Sequence, residues 1–324
     1  MPKGIIGLGM WCVDTTYKIN TLPQRGKLEP IIESFQCVGG GPSNVLSDLY
    51  SLGFKYPMIA MGSIGVDENA SYIKKHCRKN KIDTKFLKPT QKAPTSHTVC
   101  MFEKQNERTF LYHAGANNLL DINHFQIQKL KSDPKILYVG YITLLGNLDK
   151  FSGKNTRLSR VLSQAKKKDI TTVLDLVSNN DPSFQRIVLS ALPFTDYLLL
   201  NEIEAELLFK KTVINSKKRL NKKLLINISK KLFSKGISKA LVIHHSKESL
   251  YISREEIIHT SSIKINRKKI INSVGAGDAF CAAFIYGVHE SWDMKKILKK
   301  AHAAGSAMMK IDSSSGNLPN IKKL

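Results

Sequence analysis

Short runs of apolar residues alternate with amphipathic stretches along this chain, and that alternation leaves few folds open. Lys3–Leu8, Met58–Ile64, Lys135–Val139, Thr171–Leu176, Tyr197–Leu200 and Lys239–Ile243 read as buried strands. Between them, Pro42–Leu52, Asn69–Asn80, Ile122–Lys131, Arg157–Lys167, Glu202–Phe209 and Leu224–Ser234 read as helices. In the last of these, Leu224, Leu225, Ile228 and Leu232 form one apolar stripe. Strands that alternate with helices and are apolar on both faces predict a mainly parallel sheet covered on each side. Ligands of such sheets collect at the carboxyl ends of the strands.

Two stretches break the rhythm. Between 14 and 38, and again between 95 and 113, short extended pieces occur (Thr15–Ile19, Ile31–Cys37, His97–Phe102 and Arg108–Tyr112), with Gln105-Asn106-Glu107 as a hairpin tip. Both leave the sheet near strand ends and are expected to meet as a small β-lid. The predicted organisation is an α/β core domain over residues 1–13, 39–94 and 114–324. The lid comprises 14–38 and 95–113. A length of 324 residues suits one large domain with such an appendage.

Charge is the unusual element of the composition. Fifty Lys and Arg against twenty-six Asp and Glu leave a formal +24. The excess is mostly lysine, in runs such as Lys166-Lys167-Lys168, Lys217-Lys218-Arg219 and Lys230-Lys231 at helix ends and loops, without the interleaved aromatics that stack bases. A solvated basic surface, with no nucleic-acid partner, is the expectation; it would attract anionic substrates. Five scattered cysteines form no Cys-x-x-Cys pair, which argues against disulfides or zinc and for a reducing, cytoplasmic setting. No run nears the ~18 apolar residues of a membrane span, and Met1-Pro2-Lys3 leads straight into a strand, leaving no room for a signal peptide.

The chemistry concentrates in two glycine motifs. Gly275-Ala276-Gly277-Asp278 opens the apolar helix candidate Ala279–Gly287. A helix N-terminus offers unpaired N–H groups and partial positive charge to an anion, and glycine lets backbone approach a phosphate. An acid in the same turn can take a proton from a neighbouring hydroxyl, which together suggests phosphoryl transfer to an alcohol. Taken alone, the pattern fits a plain tight turn as well. Far upstream, Gly39-Gly40-Gly41-Pro42-Ser43-Asn44 opens another helix and aims the Asn44 amide at hydroxyl-bearing ligands, although a simple Gly-rich helix entry reads the same way. Asp14, just past the first strand, is either a third hydroxyl binder or a turn acid.

In their order and spacing these motifs resemble the ribokinase-like (PfkB) family of carbohydrate and nucleoside kinases. The resemblance runs through Gly39-Gly40-x-x-x-Asn44, Gly62-Ser63-Ile64-Gly65-x-Asp67, Glu107-Arg108-Thr109, Gly115-Ala116-Asn117, Asn201-x-x-Glu204 and Asn272-Ser273-Val274-Gly275-Ala276-Gly277-Asp278, nearly the whole chain. It implies a three-layer α/β/α ribokinase-like fold with a mainly parallel central sheet and a small β-sheet lid. It further implies an ATP-dependent kinase with Asp278 as general base and the Gly275, Ala276 and Gly277 amides as anion hole. Glu204, with Asn201, would organise Mg²⁺ and phosphate, the ion bound through water. Asp14, Gly39, Gly40, Gly41 and Asn44 would hold a small-molecule sugar substrate. The lid would exclude water and serve as a homodimer interface.

Two departures matter. Asn272-Ser273 stands where the family usually has Asp-Thr, which removes a formal charge and counts against activation by a monovalent cation. After Ile243, where the family's nucleotide loop has Thr-x-Gly-x-x-Gly, this chain has His244-His245-Ser246-Lys247-Glu248-Ser249. Either His244, Ser246 and Ser249 would then take over nucleotide contacts, or the donor preference would change, or nucleotide binding would weaken. Adjacent histidines on an extended segment point opposite ways and do not suggest a metal site. Gly41 stands where ribose and phosphosugar kinases commonly carry Lys, and Gly-Pro-Ser-Asn is closer to fructokinases and 2-keto-3-deoxygluconate kinases. The implied acceptor is an unphosphorylated sugar or sugar acid, chosen by side chains around Asp14, His97, Met101 and Phe110. A nucleoside kinase of the same fold and a non-catalytic sugar- or nucleotide-binding relative stay open.

Overall fold

A computed structural model describes residues 3–103, 108–131, 133–266, 269–271 and 273–324. The expected hairpin tip at Gln105-Asn106-Glu107 and the substituted position Asn272 lie outside the described residues. All six strand candidates form. In chain order the strands are β1 (Gly4–Gly9), β2 (Cys12–Ile19), β3 (Glu33–Gly39), β4 (Met58–Ile64), β5 (Ile82–Pro89), β6 (Ser96–Glu103), β7 (Arg108–His113) and β8 (Pro134–Gly140). They continue with β9 (Phe151–Ser152), β10 (Asn155–Thr156), β11 (Thr171–Asp175), β12 (Tyr197–Asn201), β13 (Ala240–His245), β14 (Glu248–Ile252) and β15 (Ile257–Ser261). The helices are α1 (Gly41–Ser51), α2 (Glu68–Lys79), α3 (Arg157–Lys166), α4 (Phe184–Ala191), α5 (Glu202–Phe209), α6 (Lys222–Ser234), α7 (Ala276–His289) and α8 (Met294–Met308).

The central sheet runs β15-β14-β13-β12-β11-β8-β1-β4-β5. It is parallel from β13 to β5, and an antiparallel β13-β14-β15 meander closes one edge. Successive strand residues serve opposite cores: Ile5, Ile136 and Tyr138 face α1, α7 and α8, whereas Ile6, Leu137 and Val139 face α3 to α6. That two-sided burial is why these strands lack a polar alternation. From β1 the chain proceeds outward to β4 and β5, then returns to β8 on the other side. The reversal places a crevice at the carboxyl ends of β1 and β8.

A separate four-stranded sheet, ordered β3-β2-β6-β7, forms from the two irregular stretches. They meet through parallel pairing of β2 with β6, from Cys12 opposite Ser96 to Ile19 opposite Glu103. This sheet springs from the ends of β1 and β5, beside the crevice.

The helix expected over Ile122–Lys131 does not form. Two 3-10 turns, Ile122–His124 and Ile127–Lys129, take its place. Phe125 and Ile127 are both buried, yet residues two apart on an α-helix point nearly opposite ways. Asp121 and the His124 ring close a capping box on the first turn, which satisfies its backbone groups without further helix. Among the described residues no helix is long and apolar enough to cross a membrane.

Candidate active site

Asp278 occupies the first turn of α7, a helix whose N-cap, Gly275, sits in the left-handed region at φ 77° and offers no side-chain cap. The leading N–H groups of α7 therefore face the crevice without a side-chain acceptor. Gly275 is required twice over. Its φ disfavours a side chain, and a Cβ would stand 1.9 Å from the Ser314 carbonyl oxygen. Asp278 itself is 8% exposed. Its Oδ2 accepts from Asn44 Nδ2 at 3.0 Å, and the Tyr141 hydroxyl donates to Oδ1 at 2.8 Å and Oδ2 at 2.9 Å. Burial pushes its carboxyl up to about 6; the Tyr141 and Asn44 donors oppose that rise, and the charge on Asp14 adds to it.

Asn44 is held by α1, which Val45, Leu46 and Leu49 anchor in full burial, each worth roughly 1.5–3 kcal/mol. Its amide donor is committed to Asp278, and its buried Oδ1 has no partner among the described residues. Gly39 ends β3 against the Asp14 carboxylate, Gly40 caps α1, and Gly41 begins α1 beneath the Tyr138 and Tyr141 rings. Asp14, on β2, accepts from Cys12 Sγ at 3.3 Å; burial raises its pKa while the Thr98 and Cys12 contacts oppose the rise. It lines a cleft of about 250 Å³ with Cys37, Arg108, Phe110, Val274 and Ser314. Of the four side chains expected to select the acceptor, the structure brings Asp14 and Phe110 there. His97 packs on His113 instead, with ring centroids 4.9 Å apart.

A second cleft of about 250 Å³ is lined by Tyr141, Asp175, Ser178, Asn201, Glu204, His244, Gly277 and Asp278. Asn201 and Glu204 form a reciprocal capping box on α5: Glu204 N donates to Asn201 Oδ1 at 2.9 Å, and Asn201 N to Glu204 Oε2 at 2.9 Å. The same Glu204 is buried in the cleft, so local capping and a cleft-lining carboxylate coexist. Burial lifts it to about 7, opposed by donors from Asn201 and Ser178 and reinforced by Asp278. Asp175, at the end of β11, is raised well above the usual range by burial and then by the charges of Asp278 and Glu204. Among the described residues no three His, Cys, Asp or Glu converge closely enough to grip a metal directly. Oxygen donors that repel one another in a shared cleft do suit a hard cation that keeps its water, as Mg²⁺ does.

The segment after Ile243 is a tight hairpin. His245 pairs with Glu248, which leaves Ser246 and Lys247 as the turn. His244 reaches the second cleft, stacked on Phe280 with centroids 5.1 Å apart and 3.4 Å from where a Gly277 Cβ would lie. Burial, then the neighbouring His302 and His245, lowers it to about 4, so it is neutral near pH 7. Ser246 is exposed at the turn, and Ser249 is buried against His302 Nε2 at 2.9 Å; neither lines the cleft. Tyr141 and Asp175 had no sequence signal beyond their position just after or at the end of buried strands.

An uncapped helix N-terminus with a buried acid beside it, in a cleft at a sheet's switch point, forms the layout of an α/β small-molecule kinase. The chain belongs to the pfkB family of carbohydrate kinases, whose pattern matches residues 11–321. It is 25% identical over 297 residues to a 5-dehydro-2-deoxygluconokinase of Clostridium botulinum, covering 89% of this chain and 82% of that one. It is 23% identical over 309 residues to the ribokinase of Dictyostelium discoideum, covering 93% and 92%. In architecture it matches Arabidopsis thaliana ribokinase, solved with ribose and ATP, at a TM-score of 0.80 and 20% identity over 99% of this chain and 97% of that one. The ribokinase-like fold and membership among sugar kinases are thereby established.

Proposed function

We propose that the protein transfers the γ-phosphoryl group of ATP to a hydroxyl of an unphosphorylated sugar acid, with Asp278 as general base. The observation that carries this reading is the pairing of Asp278 with the uncapped first turn of α7 in the cleft that Asp175 and Glu204 also line. The substrate hydroxyl would enter from the Asp14 side, whose charge already acts on Asp278. Asp278 takes its proton as the new O–P bond forms and the bond from the γ-phosphorus to the leaving oxygen of ADP breaks. The Gly275, Ala276 and Gly277 amides face the charge that develops on the transferred group. Asp175 and Glu204, the latter fixed by Asn201, would hold hydrated Mg²⁺, which when bound neutralises phosphate charge. The ATP phosphates would lie across Gly277, beside His244.

Arg108 favours an acid over a neutral ketose: among the described residues it is the cationic side chain lining the Asp14 cleft. The sugar-acid name of the clostridial relative points the same way. In this reading the small sheet acts as a lid that excludes water, and its exposed Ile31, Ile32 and Leu111 suit a homodimer contact. The test is a panel of sugars, sugar acids and nucleosides assayed for ADP release with wild type and Asp278→Asn. Turnover of a sugar acid that collapses in the variant is the expected result. Equal ADP release by both proteins removes the base assignment, and turnover confined to nucleosides removes the acceptor.

A further inference from the structure

Tyr141 follows the last residue of β8, and its hydroxyl straddles the carboxylate of Asp278, 2.8 Å from one oxygen and 2.9 Å from the other. A carboxylate offers about four lone-pair sites. Tyr141 and Asn44 together account for three contacts, which leaves about one direction open for a substrate hydroxyl. Position 41 has no side chain to crowd the ring. A Cβ on Gly41 would lie 3.1 Å from Tyr141 Cε1 and 3.0 Å from the Tyr138 hydroxyl oxygen.

From this geometry we infer that Tyr141 is the positioning residue of the general base. The inference rests on the assignment of Asp278 as base. Asp278 stands in an acidic neighbourhood: Asp14 reaches it from β2, Asp48 from α1, Asp175 from β11 and Glu204 from α5. Tyr138 from β8 is also within its field, His244 across the cleft is neutral, and no cation among these groups offsets them. Two donors on the carboxylate favour its ionised form and fix its rotation. Without the tyrosine, Asp278 would hold its proton to higher pH and turn more freely.

The experiment titrates Asp278 in the full chain by carboxyl-¹³C NMR, with Asp278→Asn used to identify its resonance, in wild type and Tyr141→Phe. The same proteins are assayed for ADP release between pH 5 and 9 on the best acceptor from the panel. Loss of one charge-assisted hydrogen bond should raise the Asp278 midpoint by about one pH unit. The acid limb of kcat/KM should shift with it, while the KM for ATP stays put. That shift costs Tyr141→Phe about tenfold at pH 5 and little at pH 9. An unmoved midpoint, or a loss that is equal at every pH, overturns the positioning role. If the midpoint moves but Asp278→Asn still turns over normally, the base assignment fails while the Tyr141 contact stands. Replacement by 3-fluorotyrosine, whose hydroxyl is a stronger donor of nearly the same size, guards against misfolding and should lower the midpoint.

Discussion

Gly275 and Gly277 lie two residues apart in one motif, yet the structure predicts opposite consequences for alanine at each. At Gly275 the backbone has φ 77°, and the added Cβ would stand 1.9 Å from a backbone oxygen of Ser314. The left-handed conformation costs about 1–2 kcal/mol for an L-residue. Because the obstruction is backbone, relieving it displaces the 313–316 segment, at a typical overpacking cost of about 1–3 kcal/mol. Gly275→Ala should therefore lose roughly 2–5 kcal/mol, a fall in Tm on the order of 5–10 °C. Gly277 lies within the helix, and a Cβ there meets only His244 Cε1 at 3.4 Å, an ordinary contact. Alanine should leave stability unchanged or raise it by about 0.5–1 kcal/mol, since glycine weakens helices. Its methyl would nonetheless occupy the surface proposed to carry the phosphates, at a cost of roughly 100- to 1000-fold in kcat/KM, comparable to losing an oxyanion donor. Urea denaturation and ADP release on both variants separate the effects. A fully active Gly277→Ala would refute the phosphate path, and a Gly275→Ala as stable as wild type would refute the packing argument.

As the proposed general base, Asp278 must be ionised and is held at about 6, so kcat/KM should climb as pH rises through 6 and then level. Asp278→Asn should lose roughly 10²–10⁴ of the rate. For stability the sign is the reverse: the folded pKa exceeds the usual 3.8, so this carboxyl's contribution is complete below about pH 4 and lost as pH rises through 6. Denaturation midpoints across pH should consequently vary less in Asp278→Asn. Arg108→Ala should raise the KM for a sugar acid about tenfold and leave that for a neutral sugar unchanged, since one charge-assisted contact is worth about 1.5–3 kcal/mol; equal effects on both would remove Arg108 from acceptor choice. Leu111→Asp should convert a dimer to a monomer by light scattering, and a wild-type monomer would end that proposal.

The central layers were legible because parallel strands buried on both faces, such as Thr171–Asp175 and Tyr197–Asn201, are apolar without a break and flanked by helical stripes. The segment from Ile122 misled because its apolar residues approach a helical spacing. Only the burial of both Phe125 and Ile127 shows that it turns differently. Phe184–Ala191 is too short to announce itself, and becomes a helix because Phe184, Ile187, Val188 and Ala191 bury together against the sheet.

In the site, Asp278, Gly275, Gly277 and Asn44 were readable because local backbone demands tie glycine and a cap-region acid to neighbours in sequence. Tyr141 and Asp175 belong to no such local pattern. Parallel register sets Gly140 beside Gly9, and packing of α1 brings Gly41 beneath the Tyr141 ring. The contact between Asn44 and Asp278 likewise spans 234 residues of chain. Sequence alone thus determined the layers, the family and the helix N-terminus that carries the acid, all consequences of short-range periodicity and conformation. Which groups surround that acid, and how far burial lifts its pKa, were decided only by tertiary packing, because desolvation and donor geometry depend on residues distant in the chain.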